Sequence, residues 1–527
     1  MRHKIYFPQF GKEREISEGR TILDYAKELD IPISSSCNGL GRCKECRIAI
    51  EKGHQALNER GDLEEELERG ERLACQTIIK DPSFDVWVKI LYYGYLQILA
   101  KGKHRKVELN PLTKRVGDKV VFNNKEIDTY RGRVYGIAAD IGTTTIVLHL
   151  MNLENGDHIY TYAFENPQRI IDGNDVMSRI TYDRKRPGRL HQDLISCINK
   201  KIRGMPCDGR HIYEMIVVGN PTMRDIFFAL DVQTIGASPF KSITELKEGP
   251  TFLNKKASRL SLSINEKANI YGAPLIGSHV GADATAVCLS SSLFNTDKIV
   301  MAIDIGTNGE VVLKYDGGII ATSCAAGSAL EPMPAVKGTI QRISLDNEKI
   351  NWKTIGNVEP IGICGSGIID LMAELIKNKK MDENGYLTDG KIFRITPKIH
   401  ITQNDIKGEA GLMWSKAAIS LGIKALLEEA RIGINDLDRV YLAGSFGNYI
   451  DKANARRIGL VPAVPLEKIE QVGNAAAAGA TEMLLSQQRK RLAEEAVKKI
   501  KHINLESIPG YGERLMLDEQ NFKELRV

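Results

Sequence analysis

The sequence contains no apolar run approaching the ~20 residues that a bilayer-spanning helix needs. Its best stretch, Ile90 to Ala100, is too short and follows Lys89. The N-terminus, Met1-Arg2-His3-Lys4-Ile5, runs into polar sequence and not into the apolar core of a signal peptide. A cytoplasmic protein without membrane contact is expected. Strong charge bias is also missing. A net charge of +5 over 527 residues is too small an excess to point to nucleic acid. No Gly-x-x-x-x-Gly-Lys-Ser/Thr segment is present, which excludes the commonest ATP-binding loop. The ten histidines include no His-Glu-x-x-His or similar ligand pair, and Trp87, Trp352 and Trp414 are too dispersed for a stacking platform. Hydrophobic residues at 43% and charged residues at 26% are ordinary globular values that exclude disordered, collagen-like and coiled-coil chains. A chain this long holds several domains and ample apolar material for more than one core.

An even, regularly spaced set of cysteines is absent too. There are nine, which argues against a disulfide framework. Cys197, Cys207, Cys288, Cys324 and Cys364 are scattered and read as reduced thiols, mostly buried. Cys37, Cys43, Cys46 and Cys75 crowd into the first 75 residues. Their spacing is C-x5-C-x2-C with 28 residues before the fourth. Thiolates are soft ligands, so such a quartet selects zinc or an iron–sulfur cluster. Structural zinc favours two paired C-x-x-C knuckles, and only one pair exists here. Gly39 and Gly41 suit a loop wrapped closely around a cluster. An iron–sulfur cluster, zinc and unrelated thiols are the readings that these residues leave open.

Residues 1–92 read as a small unit. Short strands near Ile5 and Glu15 precede a helix opening at Thr21 and the cysteine loop. A strand at residues 46–50, an acidic helix around residues 63–68 and a closing strand near residues 84–90 follow. Residues 93–130 carry many lysines and arginines with weak periodicity, and read as a solvated basic linker or a docking strip for an acidic partner. From Val134 onward apolar strands alternate with helices, which predicts α/β layers. An internal repeat appears there. Ala138-Ala139-Asp140-Ile141-Gly142-Thr143-Thr144-Thr145 is echoed 164 residues later by Ala302-Ile303-Asp304-Ile305-Gly306-Thr307-Asn308-Gly309. Such spacing predicts two related lobes, residues 131–295 and 296–527, with a cleft between them. The segment from Gln488 to Lys501 is rich in Lys, Arg and Glu and reads as an exposed helix face.

Each repeat is a strand ending in Asp-x-Gly-Thr, where Gly permits a sharp turn and the following amides and hydroxyls can meet an anion. The aspartates cannot face phosphate directly and would act through Mg²⁺ and its waters. A third segment, Leu442-Ala443-Gly444-Ser445-Phe446-Gly447, is a strand running into a glycine turn against which a flat ring can lie.

Together these segments resemble the nucleotide-binding fold of actin, sugar and acetate kinases and heat-shock chaperones. The resemblance implies phosphate contacts from Gly142, Thr143, Thr144, Gly306, Thr307, Asn308 and Gly309. It implies adenosine contacts from Gly444, Ser445, Phe446 and Gly447, and Mg²⁺ and water positioning by Asp140 and Asp304. The N-terminal spacing resembles the adrenodoxin-like variant of 2Fe–2S ferredoxins, with Cys37, Cys43, Cys46 and Cys75 as ligands. The whole chain resembles the ATP-dependent reductive activators of corrinoid proteins. That implies a β-grasp 2Fe–2S ferredoxin domain followed by a duplicated, two-lobe, actin-like (ribonuclease H-like) ATPase. It also implies ATP, Mg²⁺ and a 2Fe–2S cluster as cofactors, and reduction of Co(II) to Co(I) in a corrinoid protein partner. A low-potential donor such as a ferredoxin or flavodoxin, a travelling linker and a homodimer are implied as well. The chain lacks the Asp-x-His-x-x-Gly signature of base-off corrinoid binding, so it is not expected to hold the corrinoid itself. Three alternatives stay open: a kinase or sensor-like ATPase with a structural zinc domain, an activator of a radical dehydratase, and a nucleotide-dependent scaffold.

Overall fold

The computed structural model describes residues 3–8, 11–29, 31, 33, 41, 46–65, 67, 70–91, 105–170, 175–306, 308–327, 329–333, 335, 338–346, 349–408, 411–444, 449–519 and 521–525. The chain divides into two compact units, Met1–Tyr95 with Lys200–Pro206, and Leu96–Asn199 with Cys207–Val527.

In the first unit, β1 (Lys4–Phe7), β2 (Lys12–Glu15), β3 (Arg47–Lys52), β4 (Glu71–Leu73) and β5 (Val86–Ile90) form one sheet in the order β2-β1-β5-β3-β4. β1 and β5 run parallel and the other pairs antiparallel. A helix, Ile22–Glu28, starts at a capping box in which Thr21 and Asp24 exchange hydrogen bonds. It buries Ile22, Leu23, Tyr25 and Ala26 against the sheet's alternating apolar face. The acidic helix expected at residues 63–68 is, over its described residues, only a short 3₁₀ turn at Asp62–Glu64. Glu64 is not a solvated acid. It is buried, paired with Arg72 at 3.0 Å, and accepts the Leu73 amide at 2.6 Å, fixing the approach to Cys75.

The second unit contains two lobes that follow the repeat. The first has β9 (Tyr135–Ile141), β10 (Thr145–Asn152), β11 (His158–Glu165), β12 (Ile212–Val218), β13 (Leu253–Lys256) and β14 (Asn269–Gly272) in the order β11-β10-β9-β12-β14-β13. The second has β15 (Val300–Ile305), β16 (Gly309–Tyr315), β17 (Gly318–Cys324), β23 (Arg439–Ala443), β24 (Ile469–Gly473) and β25 (Ile500–His502) in the order β24-β23-β15-β16-β17-β25. In both, the first three strands are antiparallel, and two further strands extend the sheet parallel to the first. The sequence repeat is therefore a repeat of topology. Inserted in the second lobe are β18 (Thr339–Asp346), β19 (Lys349–Thr354) and β20 (Gly362–Ile363), and the pair β21 (Ile392–Arg394) and β22 (His400–Thr402).

Three expectations need correction. The basic linker is folded over much of its length: β6 (Thr113–Val116), β7 (Lys119–Phe122) and β8 (Lys125–Thr129) make a small antiparallel sheet. Thr113 donates to the buried Glu214 at 2.7 Å, and Asp128 accepts from Tyr213 and Asn265. Exposed lysines flank the buried pair Val120 and Val121, so charge hides the apolar pattern. The helix Gln487–Ala496 is not simply an exposed face, because Lys490 is buried with its ammonium 3.6 Å from the Tyr271 ring centre. Finally, Gln403–Ala430 is long and apolar enough to cross a membrane by length and composition alone, but 88% of its apolar window is buried inside the protein. Its main helix, Leu412–Ala430, packs against β16 and β17 as a core element.

Arg224 and Asp225 are fully buried in the first lobe. Arg224 donates to Asp225, Thr244 and the carbonyls of Thr251 and Ala273, and Ser242 donates to the other Asp225 oxygen. Arg224→Met removes the cation bonded to Asp225 and leaves a buried carboxylate behind. It is expected to cost about 3–5 kcal/mol, read as a lower urea midpoint by circular dichroism. A wild-type midpoint would contradict that account.

Candidate nucleotide and cluster sites

The two Asp-Ile-Gly loops occupy matching corners of the two sheets. β9 carries Asp140 and turns into β10, while β15 carries Asp304 and turns into β16. Gly142 is required by close approach and not by its backbone angle, since a Cβ there would lie 2.6 Å from the Thr145 carbonyl oxygen. Gly306 carries no such restriction. The carbonyls of Gly142, Thr143 and Thr144 accept hydrogen bonds from Asn166 Nδ2 at 2.8 Å, Arg179 Nη2 at 2.5 Å and the Asn166 amide at 2.9 Å. The loop's acceptors are thereby occupied, which favours an anion at its open side. Gly444 does need its freedom. Its φ is +102°, and a Cβ would meet Ile305 O at 2.5 Å and Asp304 Oδ1 at 2.8 Å.

A cleft between the lobes gathers Asp140, Gly142, Thr143, Thr144, Asp304, Gly306, Asn308 and Gly444. Gly309 opens β16 and packs close to Ile419. Thr307, Ser445, Phe446 and Gly447, together with Cys37 and Cys43, lie outside the described residues. The cleft also holds residues to which the sequence alone assigns no role: Asn220, Asp283, Glu310, Glu331 and Asn474. Asn220 and Asn474 each cap a helix that follows a sheet strand, and Asp283 begins another. Aligning the strand-to-helix joints of the two repeats is the signal for Asn220, Asp283 and Asn474, whereas Glu310 in β16 and Glu331 in a loop carry no such signal.

No lysine or arginine lines this cleft among the described residues. Acids dominate. Burial pushes the Asp140 carboxyl up to about 7, against a hydrogen bond from Asn474 Nδ2 at 2.9 Å, and Asp283 adds repulsion. Burial holds Asp283 at about 6. Burial, then Asp283, Asp140 and Glu331, push Asp304 to about 8. Burial, then Asp283 and Asp304, raise Glu310 well above its ordinary value. Hard oxygen donors that lack a cationic side chain fit a divalent ion such as Mg²⁺. Among the described residues no three His, Cys, Asp or Glu side chains converge closely enough to ligate one ion directly.

In the first unit the Sγ atoms of Cys46 and Cys75 are 3.4 Å apart, far beyond the ~2.05 Å of a disulfide. The distance is near the ~3.7 Å expected for two thiolates at ~2.3 Å on one tetrahedral ion. Cys75 is held down to about 6, chiefly by its hydrogen bond with Cys46 and further by Gln76 and the Gly41 backbone, against the effect of burial. Gly41, at φ +72°, has Leu63 and Gln76 against the space a Cβ would fill. These residues fit a thiolate-bound iron–sulfur cluster.

Comparison with known proteins matches the ferredoxin segment and both parts of the ATPase segment. Residues 8–80 match the 2Fe-2S iron-sulfur cluster binding domain, residues 135–296 the RACo middle region, and residues 298–524 the C-terminal domain of RACo, the ASKHA domain. A solved structure, the reductive activator for corrinoid, iron-sulfur protein, superposes with a TM-score of 0.71 at 27% identity over 99% of this chain and 98% of that one. This chain belongs to the family of ATP-dependent reductive activators of corrinoid proteins. The corrinoid activation enzyme RamQ of Eubacterium limosum is 28% identical over 98% of each chain. A [Co(II) methylated amine-specific corrinoid protein] reductase of Methanosarcina barkeri is 27% identical over 70% of this chain and 73% of its own. The activator family binds ATP in the ASKHA fold and a 2Fe–2S cluster in the N-terminal domain, so the structural-zinc alternative falls away.

The raised carboxyls have a consequence for stability. Their folded values of about 6 to 8 lie above the ~3.9 of an unfolded aspartate, so the folded protein holds more protons between those limits. Its stability without divalent metal must then fall as pH rises from about 5 to about 8. We expect the melting temperature of EDTA-treated protein to drop by several degrees across that range, and Mg²⁺ with ADP to remove much of the drop. A flat profile in EDTA would contradict it.

Proposed function

We propose that this protein uses ATP binding and hydrolysis between its two lobes to drive one-electron reduction of a corrinoid protein's cobalt from Co(II) to Co(I). The observation that carries this reading is the union, in one chain, of a paired-cysteine ferredoxin unit and a duplicated acidic nucleotide cleft. Relatives named for corrinoid activation and Co(II) corrinoid reduction support the substrate.

Cys46 and Cys75, with Cys37 and Cys43, hold the 2Fe–2S cluster, which when bound supplies the electron. Each 59 mV of unfavourable potential costs about a factor of ten in a one-electron equilibrium, so reduction to Co(I) needs outside energy. Asp140 and Asp304 position Mg²⁺ and the attacking water. Gly142, Thr143, Thr144, Gly306, Thr307, Asn308 and Gly309 receive the phosphates, and Gly444, Ser445, Phe446 and Gly447 the adenosine. Because no lysine or arginine lines the cleft among the described residues, Mg²⁺ and the loop amides must offset the phosphate charge. Nucleotide then draws the lobes together, and the energy difference between open and closed forms is what can be coupled to the partner. A low-potential donor such as a ferredoxin or flavodoxin, a homodimer and a cytoplasmic location complete the proposal.

The test is anaerobic reduction of candidate corrinoid proteins, followed by the loss of Co(II) absorbance and EPR signal with titanium(III) or dithionite as electron source. Co(I) should accumulate with Mg·ATP and not with EDTA or without nucleotide. Cys75→Ser should abolish it while ATPase activity persists, and Asp140→Asn should lower hydrolysis about 10²-fold or more. ATP-independent Co(I) formation, or full activity in Cys75→Ser, would overturn the reading.

A further inference from the structure

In each lobe a helix begins at the edge of the cleft, and one of these helices reaches across it. β24 of the second lobe ends at Gly473, and the next residue, Asn474, starts the helix Ala475–Leu485. That helix does not stay with its own sheet. It packs on β9, β10 and β12 of the first lobe and on the first-lobe helix Ala282–Ser290. At the crossing, a Cβ on Gly479 would lie 2.1 Å from the Ala286 carbonyl, and Ser290 Oγ donates to Ala475 O at 2.8 Å. Asn474 is therefore the point at which the chain passes from one lobe to the other.

Both ends of its amide are engaged there. Oδ1 accepts the Ala477 amide at 2.8 Å and caps the helix, which fixes the flip so that Nδ2 faces Asp140 Oδ2 at 2.9 Å. Asn474 is 5% exposed, so little bulk water competes for that bond. The residue thus ties the lobe-crossing joint to one oxygen of Asp140, a carboxylate that lines the cleft. The opposite joint differs: the helix Ala282–Ser290 carries Asp283 in its first turn, a carboxylate that adds repulsion to Asp304 in place of a donor.

We propose that Asn474 is a positioning residue that holds Asp140 in its metal-serving orientation and links that orientation to the joint about which the lobes move, which rests on the reading of Asp140 given above. Loss of such a supporting donor typically weakens metal binding 10–100-fold.

The experiment uses the full chain with its cluster and compares wild type with Asn474→Ser, Asn474→Ala and Asp451→Ala. Ser caps helices as well as Asn does, so Asn474→Ser keeps the cap, adds no charge and removes the amide donor. Asp451→Ala removes the cap of Lys452–Arg457, together with a 3.6 Å ion pair to Arg342, in a helix that does not line the cleft, and reports what cap loss does away from Asp140. Binding of Mn²⁺ in the presence of ADP is measured from the EPR signal of free Mn²⁺, alongside melting temperature and the Mg²⁺ dependence of hydrolysis. Both Asn474 variants should bind Mn²⁺ 10–100-fold more weakly and need correspondingly more Mg²⁺, with an unchanged cluster spectrum, whereas Asp451→Ala should lose only melting temperature. Wild-type Mn²⁺ binding in Asn474→Ser, or equal losses in Asn474→Ala and Asp451→Ala, would overturn the proposal. If wild-type protein itself fails to bind Mn²⁺ with ADP, the assignment of Asp140 fails instead.

Discussion

Carboxylates sunk in one cleft with no lysine or arginine among its described lining residues cannot all remain charged unless a cation joins them. Asp140, Asp283, Asp304 and Glu310 are in that position, and burial is the first cause that pushes each toward its protonated form. The fold tolerates this because the acids sit where the lobes meet. Metal and nucleotide charge can enter there and leave again. By linkage an empty cleft of this kind loses stability as its acids ionise, and a bound cation would offset that loss. Repulsion of this sort is one physical way for nucleotide to change the balance between two lobe arrangements.

The cysteine site obeys a related rule with softer chemistry. Cys46 and Cys75 are brought to 3.4 Å by the start of β3 and by the turn after β4, and the buried Glu64–Arg72 pair pins that turn through the Leu73 amide. Packing, and not the thiols themselves, sets the separation. At that separation the Cys46 thiol donates to the Cys75 sulfur and so favours its thiolate. Cys75 is accordingly drawn down to about 6, while Cys288, buried in the first lobe, is pushed up to about 12.

Much of the architecture was legible in the residues. The Asp140 and Asp304 repeats foretold two lobes because a duplicated strand and turn keep their apolar spacing even where the rest diverges. Surface segments whose charge hides their period could not be read in the same way. Lys119 and Lys125 conceal a folded β-sheet, and Lys490, in a run that looks solvent-facing, lies against Tyr271. Gly142 shows a further limit. A turn demanding unusual angles and a turn demanding space look alike in one dimension, and of Gly142 and Gly444 only the second has a left-handed backbone.

By itself the sequence determined the chemistry available: soft thiolates in one segment, glycine loops with aspartates in two others, and no P-loop lysine. Those follow from residue type and spacing along the chain. Tertiary structure alone decided which groups meet. Asn474 and Asp140 are separated by 334 residues, and their hydrogen bond exists because a second-lobe helix crosses to pack on the first-lobe sheet. Asp283, Glu310 and Glu331 join the cleft through the same meeting of the lobes. Local periodicity reports what each element can bury, but not which element from the other half of the chain will be buried against it.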